Sequence, residues 1–410
     1  MKRYVIIGNG VAAVGCIEGI RSLDREGDIT VISEEDHPVY SRPLISYLLQ
    51  GRTDTELMKY RPDGFYEENG CRVHYGRRAS AIDAVSHTVT LDDGGKIAYD
   101  CLCVAAGSRP FVPPFEGLDT VKNKYSFMTL DDALALGEAL TPETRVLIVG
   151  AGLIGLKCAE GIRDRVGSIT VCDLADRVLS SILDTECASV VQKHLETNGI
   201  SFMLGDTVQR FEENRAFMKS GASVDFDLLV LAVGVRANTE LVKNAGGEVN
   251  RGILADDRMK TTLDGVYAAG DCAEGYDASL GARRILAILP NAYIQGHTAG
   301  LNMAGGDKSF DTGIPMNSIG FFGLHIMTAG VYDGEMFEDA KNGSIRRLFV
   351  KDGRLAGFIL IGGTDRAGIY TSLVRERTPL DTIDFGLTKK AASNMIFSRD
   401  IRRKKFGGVV

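Results

Sequence analysis

No two of the eight cysteines are placed as a redox or metal pair would be. They stand at positions 16, 71, 101, 103, 158, 172, 187 and 272, with no CxxC and no Cys/His grouping at zinc-site spacing. His37, His74, His87, His194, His297 and His325 form no constellation either, so metal binding has no support. Most of the cysteines lie in apolar runs, where a free thiol behaves as a small hydrophobe and a reducing compartment suits it. No apolar run reaches the roughly 18 residues that a membrane span needs. The stretch after Lys2 and Arg3 is broken by Gly8, Gly10 and Gly15 and followed by Glu18, so it does not read as a signal peptide. A cytoplasmic location with no membrane partner is expected. Positive charge is short too: 47 Lys and Arg against 54 Asp and Glu give a net charge of −7, which argues against general nucleic-acid binding. Length and glycine are plentiful. A chain of 410 residues is expected to hold several domains. Its 48 glycines stand well above the roughly 7% average and signal tight turns or backbone that approaches a ligand closely.

Residues 4–7, Tyr-Val-Ile-Ile, read as a short buried strand. Gly8-Asn9-Gly10-Val11-Ala12-Ala13 follows, and a helical pattern runs to about Leu23. This is GxGxxA between strand and helix, the context a dinucleotide fingerprint requires. Gly8 permits the tight turn. Gly10 lets backbone approach a pyrophosphate at the helix start, where unpaired N–H groups favour anions, and Ala13 lets the helix pack closely on the sheet. The next strand, 29–32, ends at Ser33-Glu34-Glu35, so Glu34 stands where a carboxylate accepts from a ribose hydroxyl. The motif alone would also suit a packed turn; strand, helix and acid together point to a nucleotide site.

The pattern returns. After Pro142, residues 145–149 lead into Gly150-Ala151-Gly152-Leu153-Ile154-Gly155, a complete GxGxxG at a second strand-to-helix junction. The following strand, 168–172, ends at Asp173. An acid there accepts from a free 2′-hydroxyl and repels a 2′-phosphate, which favours NADH over NADPH, although Arg177 could soften the preference. Both copies keep every required element, so two dinucleotide sites are expected rather than one and a decayed duplicate.

Other segments carry a family resemblance. Tyr99-Asp100-Cys101-Leu102-Cys103-Val104-Ala105-Ala106-Gly107-Ser108-Arg109-Pro110 resembles the YDxLxxATGxxP crossover of two-dinucleotide flavoproteins, and residues 227–238, with Gly234, repeat it after the second unit. Residues 261–272, ending Ala269-Gly270-Asp271-Cys272, look like the second FAD motif, whose Asp holds the ribityl and pyrophosphate region. Asn291-Ala292-Tyr293 looks like the start of the helix that faces the flavin pyrimidine edge. The chain thus resembles the FAD-dependent pyridine nucleotide-disulfide oxidoreductase superfamily. The resemblance implies an α/β fold with two Rossmann-like dinucleotide-binding domains, the FAD domain split by an inserted NAD domain, and a C-terminal α+β domain. The expected boundaries are 1–110 for the first FAD segment, 111–235 for the NAD domain, 236–310 for the second FAD segment and 311–410 for the C-terminal, interface-forming domain.

The disulfide reductases of the superfamily carry a CxxxxC pair early in the first domain. Here that region reads His37-Pro38-Val39-Tyr40-Ser41-Arg42-Pro43-Leu44-Ile45-Ser46-Tyr47, without cysteine. Tyr-Ser-Arg-Pro-Leu is instead similar to NADH:rubredoxin reductases and to the flavin portion of NADH-dependent nitrite reductases. Arg42-Pro43 is then either a flavin contact, as the resemblance implies, or a rigid turn with a solvated Arg. Two positions depart from the pattern. Many relatives have Glu two residues after the last fingerprint glycine, and this chain has Lys157. Oxygenase ferredoxin reductases have Lys where this chain has Tyr47. Lys157 either sits beside the flavin and favours its anionic reduced form, or snorkels to solvent from its helix. Lys157 and Tyr47 are the candidate catalytic positions.

The resemblance therefore implies an NADH-dependent flavoprotein oxidoreductase that binds FAD and NADH. It would pass electrons to an external carrier such as rubredoxin, ferredoxin or a sister iron–sulfur subunit, as a homodimer or as part of a complex. An NADH oxidase, and a non-turning-over FAD/NAD-binding subunit or redox sensor, are the alternatives. Arg399, Arg402, Arg403, Lys404 and Lys405 cluster at the C-terminus, either to steer docking of an acidic carrier or merely as a solvated end.

Overall fold

A computed structural model describes residues 1–341 and 343–405, the side chain of Lys405 excepted. Residues 406–410 of the expected C-terminal segment lie outside the described residues, as does the Lys405 side chain of the basic cluster.

Short runs rich in Val, Ile, Leu and Cys, apolar on both faces, are what a parallel sheet covered on both sides demands. Two such sheets form. The first orders Val266–Ala268, Cys101–Val104, Arg3–Ile7, Asp28–Ile32 and Cys71–His74, all parallel. The second orders Ile200–Leu204, Ser168–Asp173, Arg145–Val149, Leu228–Leu231 and Lys124–Tyr125, again all parallel. In both, a three-stranded antiparallel meander precedes the strand that returns beside the first: Ala79–Asp83, Thr88–Leu91 and Lys96–Ala98 in one, Val208–Glu212, Arg215–Met218 and Ser223–Asp225 in the other. The chain passes between the sheets through a two-stranded ribbon, Ser108–Pro110 paired antiparallel with Val235–Ala237.

The helix Val11–Arg21 lies against the long helix Leu289–Met303 with almost no side chain between them. A Cβ on Gly15 would strike Tyr293 O, one on Gly19 His297 O, one on Gly296 Ala12 O, and one on Gly300 Cys16 O. Four glycines thus bring two backbones into contact and fix the long helix beside the first glycine loop.

The C-terminal sheet is antiparallel, ordered Met316–Phe321, Leu324–Gly330, Arg354–Ile361, Ser344–Lys351 and Glu335–Lys341. The helix Ala367–Arg375 covers one face, with the Phe358 and Tyr370 rings 5.7 Å apart. The other face meets the second sheet's helices, where Arg347, 4% exposed, binds Asp184 at 2.5 Å, Glu338 at 2.5 Å and Glu186. The basic C-terminal residues lie on the short helix Arg399–Lys405, with Arg403 and Lys404 exposed. The fold class is α/β: two Rossmann-like parallel sheets followed by a sheet-rich C-terminal part.

Candidate functional site

The two glycine loops are built alike. Gly8 has φ +104°, and a Cβ there would strike Ala105 O; its N–H donates to Ile32 O at 2.8 Å. Gly150 has φ +120° and lies on Ala232 O, its N–H donating to Cys172 O at 2.8 Å. Gly10 and Gly152 are the extended N-cap residues of Val11–Arg21 and Leu153–Ile162. Neither helix start has a side-chain cap, and a Cβ on either glycine meets nothing within 4 Å. Both helices therefore offer unpartnered N–H groups to open space, the arrangement that accepts a phosphate. Ala13 is fully buried, and a side chain on Gly155 would strike Gly150 O.

The acids differ. Glu34 is exposed and has no partner among the described residues. Asp173 already accepts two backbone N–H bonds, from Ala151 within the glycine loop at 2.6 Å and from Ala175 at 2.8 Å. Arg177 donates to Leu183 O at 3.2 Å and Asp176 at 2.7 Å, so its own segment holds it. Beside the first loop, Tyr66 donates to Asn9 at 2.7 Å and lines a cleft of about 270 Å³ with Asp36, Pro38, Val39 and Tyr75.

Several distant segments converge on the first loop. Gly270, at φ +79°, faces both Ala12 and Ala292, and its N–H donates to the buried Gln295 at 2.8 Å. Ala292 lies in the first turn of Leu289–Met303, another helix start without a side-chain cap. Burial pushes the Asp271 carboxyl upward, and Ser108, 3.4 Å away, and the charge of Arg42 pull against it. Gly107 at φ +63° and Gly234 at φ +111° also have open space where a Cβ would point. Asn238 ties the two crossovers together, donating to Ala106 O at 2.8 Å and Gly107 O at 3.0 Å.

Arg42 is neither free nor simply solvated. It pairs with Glu35 and donates to Tyr40 Oη at 3.2 Å and Met128 O at 3.1 Å, while Pro43 opens a rigid 3-10 turn. Tyr40 donates to Glu35 at 2.6 Å. Lys157 does not snorkel: it is 18% exposed, pairs with Glu160 and donates to Gly320 O at 3.2 Å. Its ammonium lies 4.8 Å from the Tyr47 ring centroid and 5.6 Å from that of Phe321, so the two departures from the family pattern touch as a cation–π pair.

All eight cysteines are free, and seven are buried. Burial pushes Cys71 up to about 11 and Cys172, Cys187 and Cys272 up to about 12, so these thiols stay protonated. Among the described residues no three His, Cys, Asp or Glu gather as a metal site would require, and no helix is long and apolar enough to cross a membrane. Sequence reasoning missed Glu35, Glu160, Gln295 and Phe321, which contact the expected residues Arg42, Lys157 and Gly270. The one available signal was Glu160, which stands three residues after Lys157 on the same helix.

A family model for pyridine nucleotide-disulphide oxidoreductases matches residues 2–296. The chain is 33% identical over 393 residues to the NADH-dependent phenylglyoxylate dehydrogenase subunit epsilon of Aromatoleum evansii, covering 92% of each chain. It is 31% identical over 407 residues to the assimilatory nitrate reductase electron transfer subunit of Bacillus subtilis, covering 95% of this chain and 50% of that one, so it spans about half of that relative's length. A putidaredoxin reductase solved in covalent complex with putidaredoxin shares the fold, with TM-score 0.88, 22% identity, and 96% and 97% of the two chains covered.

Proposed function

The chain belongs to the pyridine nucleotide-disulphide oxidoreductase family, and from that premise we propose that it is an NADH-dependent flavoprotein oxidoreductase. It takes hydride from NADH onto FAD and passes electrons to an external carrier, without a cysteine redox centre. The observation that carries the reading is the pair of uncapped, Cβ-free helix starts, each fitted to one pyrophosphate.

Gly8, Gly10 and Ala13 hold the FAD pyrophosphate, and the unpartnered Glu34 accepts from its ribose beside the cleft at Tyr66. Asp271 meets the ribityl chain, and the helix start at Ala292 stabilises negative charge at the pyrimidine edge. Arg42 and Pro43 border the ring, and the bare backbone at Ala106, Gly107, Gly234 and Gly270 permits close approach. Gly150, Gly152 and Gly155 hold the NADH pyrophosphate, and Asp173 meets its ribose. Bound FAD supplies the chemistry, accepting a hydride and releasing single electrons; the protein supplies orientation and field. Lys157 and Tyr47 stand where the helix of the second glycine loop touches the helix that follows the Arg42-Pro43 turn, and act on their alignment. The matching division is FAD segments 1–110 and 236–310, NAD segment 111–235 and a C-terminal interface segment from 311. The free thiols support a cytoplasmic location.

The acceptor is a small iron–sulfur protein, rubredoxin or ferredoxin, or a sister iron–sulfur subunit. The names of the two relatives, one a dehydrogenase subunit and the other an electron transfer subunit, support work inside a complex; a homodimer is the alternative assembly. The test is anaerobic: NADH and the holoprotein should reduce an added rubredoxin or ferredoxin, and iodoacetamide added after NADH should not slow it, because no cysteine takes part in the electron path. Rapid NADH consumption in air without a carrier would support an oxidase instead, and inhibition by iodoacetamide would support a disulfide reductase.

A further inference from the structure

Three parts of the chain meet at one buried ion pair. Lys157 and Glu160 lie on Leu153–Ile162, the helix whose start is the second glycine loop. Tyr47 lies on Ile45–Leu49, directly after the Arg42-Pro43 turn. Phe321 and Phe322 form the tip of the hairpin Met316–Phe321/Leu324–Gly330 in the C-terminal sheet. Glu160 is 6% exposed and uses both oxygens: one binds Lys157, the other accepts the Phe322 N–H at 2.7 Å. Phe322 needs that partner. Its φ is +46°, and Gly323 follows at +86°, a left-handed turn that is uncommon for so bulky a residue. On the far side of the tip, His194 meets Phe321 O at 3.0 Å, and Gln50, at the end of the Tyr47 helix, donates to Glu160 O at 3.3 Å.

A buried ion pair is a poor way to gain stability, because desolvation offsets the attraction and apolar residues would serve as well. Its value lies in fixed geometry. We propose that Glu160 is a positioning residue for hydride transfer, holding Lys157 against Tyr47 and Phe322 against its own helix. The spacing between the helix of the second glycine loop and the Tyr47 helix, which packs on it directly after the Arg42-Pro43 turn, is thereby set from the C-terminal hairpin. The inference rests on the NADH-to-FAD reading above. Glu160 balances the Lys157 charge, so Lys157 serves as a spacer between helices rather than as a free cation at the flavin.

The test uses the holoprotein and the variants Glu160→Gln, which keeps an acceptor for Phe322 N–H but removes the countercharge, Glu160→Asp, and Lys157→Met with Glu160→Gln, which removes both charges and keeps volume. Stopped-flow reduction by NADH gives a limiting rate and a Kd, and hydrogen exchange of residues 319–324 is followed without NADH. A misalignment near 1 Å costs about 100-fold, so Glu160→Gln is expected to lower the limiting rate by about 10- to 100-fold with Kd within about 3-fold. Exchange at 319–324 should rise, Glu160→Asp should recover part of the rate, and the double variant should melt like wild type yet stay slow. A Glu160→Gln protein that reduces as fast as wild type overturns the proposal. So does a parallel fall in flavin content, melting temperature, rate and affinity, which would mark a merely structural pair. Wild-type protein whose flavin NADH does not bleach overturns the proposed function, a failure separate from one confined to the variants.

Discussion

In the first glycine unit Gly8 rests on Ala105 O at φ +104°, and in the second Gly150 rests on Ala232 O at φ +120°. Both helix starts are uncapped, and both units route the chain through a three-stranded meander before the returning strand. They part at the acid: Glu34 stands open, whereas Asp173 is held by two N–H groups, one from the glycine loop itself. They part again at the helix, since Val11–Arg21 meets the long helix backbone to backbone at four glycines, while Leu153–Ile162 comes close to the Tyr47 helix backbone only at Gly161 and adds the Lys157–Glu160 pair. The same loop is thus seated by close backbone contact in one unit and braced by a buried ion pair in the other.

Steric substitution should break the two units separately and with the largest effect. Gly8→Val and Gly150→Val force a β-branched residue into a left-handed backbone against a carbonyl, and each is expected to abolish soluble expression or lower the melting temperature sharply. Equal losses would support the common plan, and a tolerated Gly150→Val would break it. Gly10→Glu and Gly152→Glu enter open space and should leave the fold intact, placing a carboxylate where each phosphate belongs. Gly10→Glu is expected to purify without flavin. Gly152→Glu should keep its flavin and lose NADH binding by 100-fold or more, on the order of 3 kcal/mol, measured by titration of the visible band.

The acids sharpen the contrast. Asp173→Ala removes two bonds to a charged acceptor and should cost about 2–4 kcal/mol of unfolding free energy. It should also weaken the preference for NADH over NADPH. Glu34→Gln removes no protein contact and should stay within about 0.5 kcal/mol in the same denaturation experiment, showing its effect only in FAD retention.

A smaller shared feature should respond alike in both. Arg3 clips Asp100 with bonds of 2.8 and 2.7 Å, and Arg145 clips Asp227 with bonds of 2.9 and 2.8 Å. Arginine and backbone N–H bonds hold both carboxyls down to about 2. The unfolded value, near 3.9, is higher, so the unfolded chain binds more protons between these values. The contribution is complete above about pH 4 and disappears as pH falls to about 2. Arg3→Ala and Arg145→Ala should therefore narrow the acid limb of the stability curve by similar, small and salt-sensitive amounts, because these side chains are 39–50% exposed.

Local chemistry made the two units legible in the sequence. Glycines with required backbone angles, apolar runs and an acid after the second strand are neighbours in the chain, and each carries its own signal. The contacts that tune the site depend on how turns and elements are folded onto one another. Glu35 on Arg42 was hidden because Glu34 and Glu35 are alike in sequence and only the strand's end decides which one faces the turn. The pairing of Gly15 and Gly19 with Gly296 and Gly300 leaves an i, i+4 trace in each helix, a usable clue, yet nothing local says which helices meet. The departures at Lys157 and Tyr47 were visible, whereas their contact, and the Phe321 ring on the far side, depend on how the sheets pack. Cys101 and Cys103 read correctly as packing residues because the apolar run around them forms a strand buried on both faces.

An anaerobic titration of the purified holoprotein with NADH, following the visible flavin band, tests the central claim that one unit holds FAD and the other delivers NADH to it. One equivalent of NADH per bound flavin should bleach the band fully, at concentrations where NADPH acts weakly. A protein that purifies with flavin and binds NADH without bleaching would contradict the account, leaving two filled sites with no hydride passing between them.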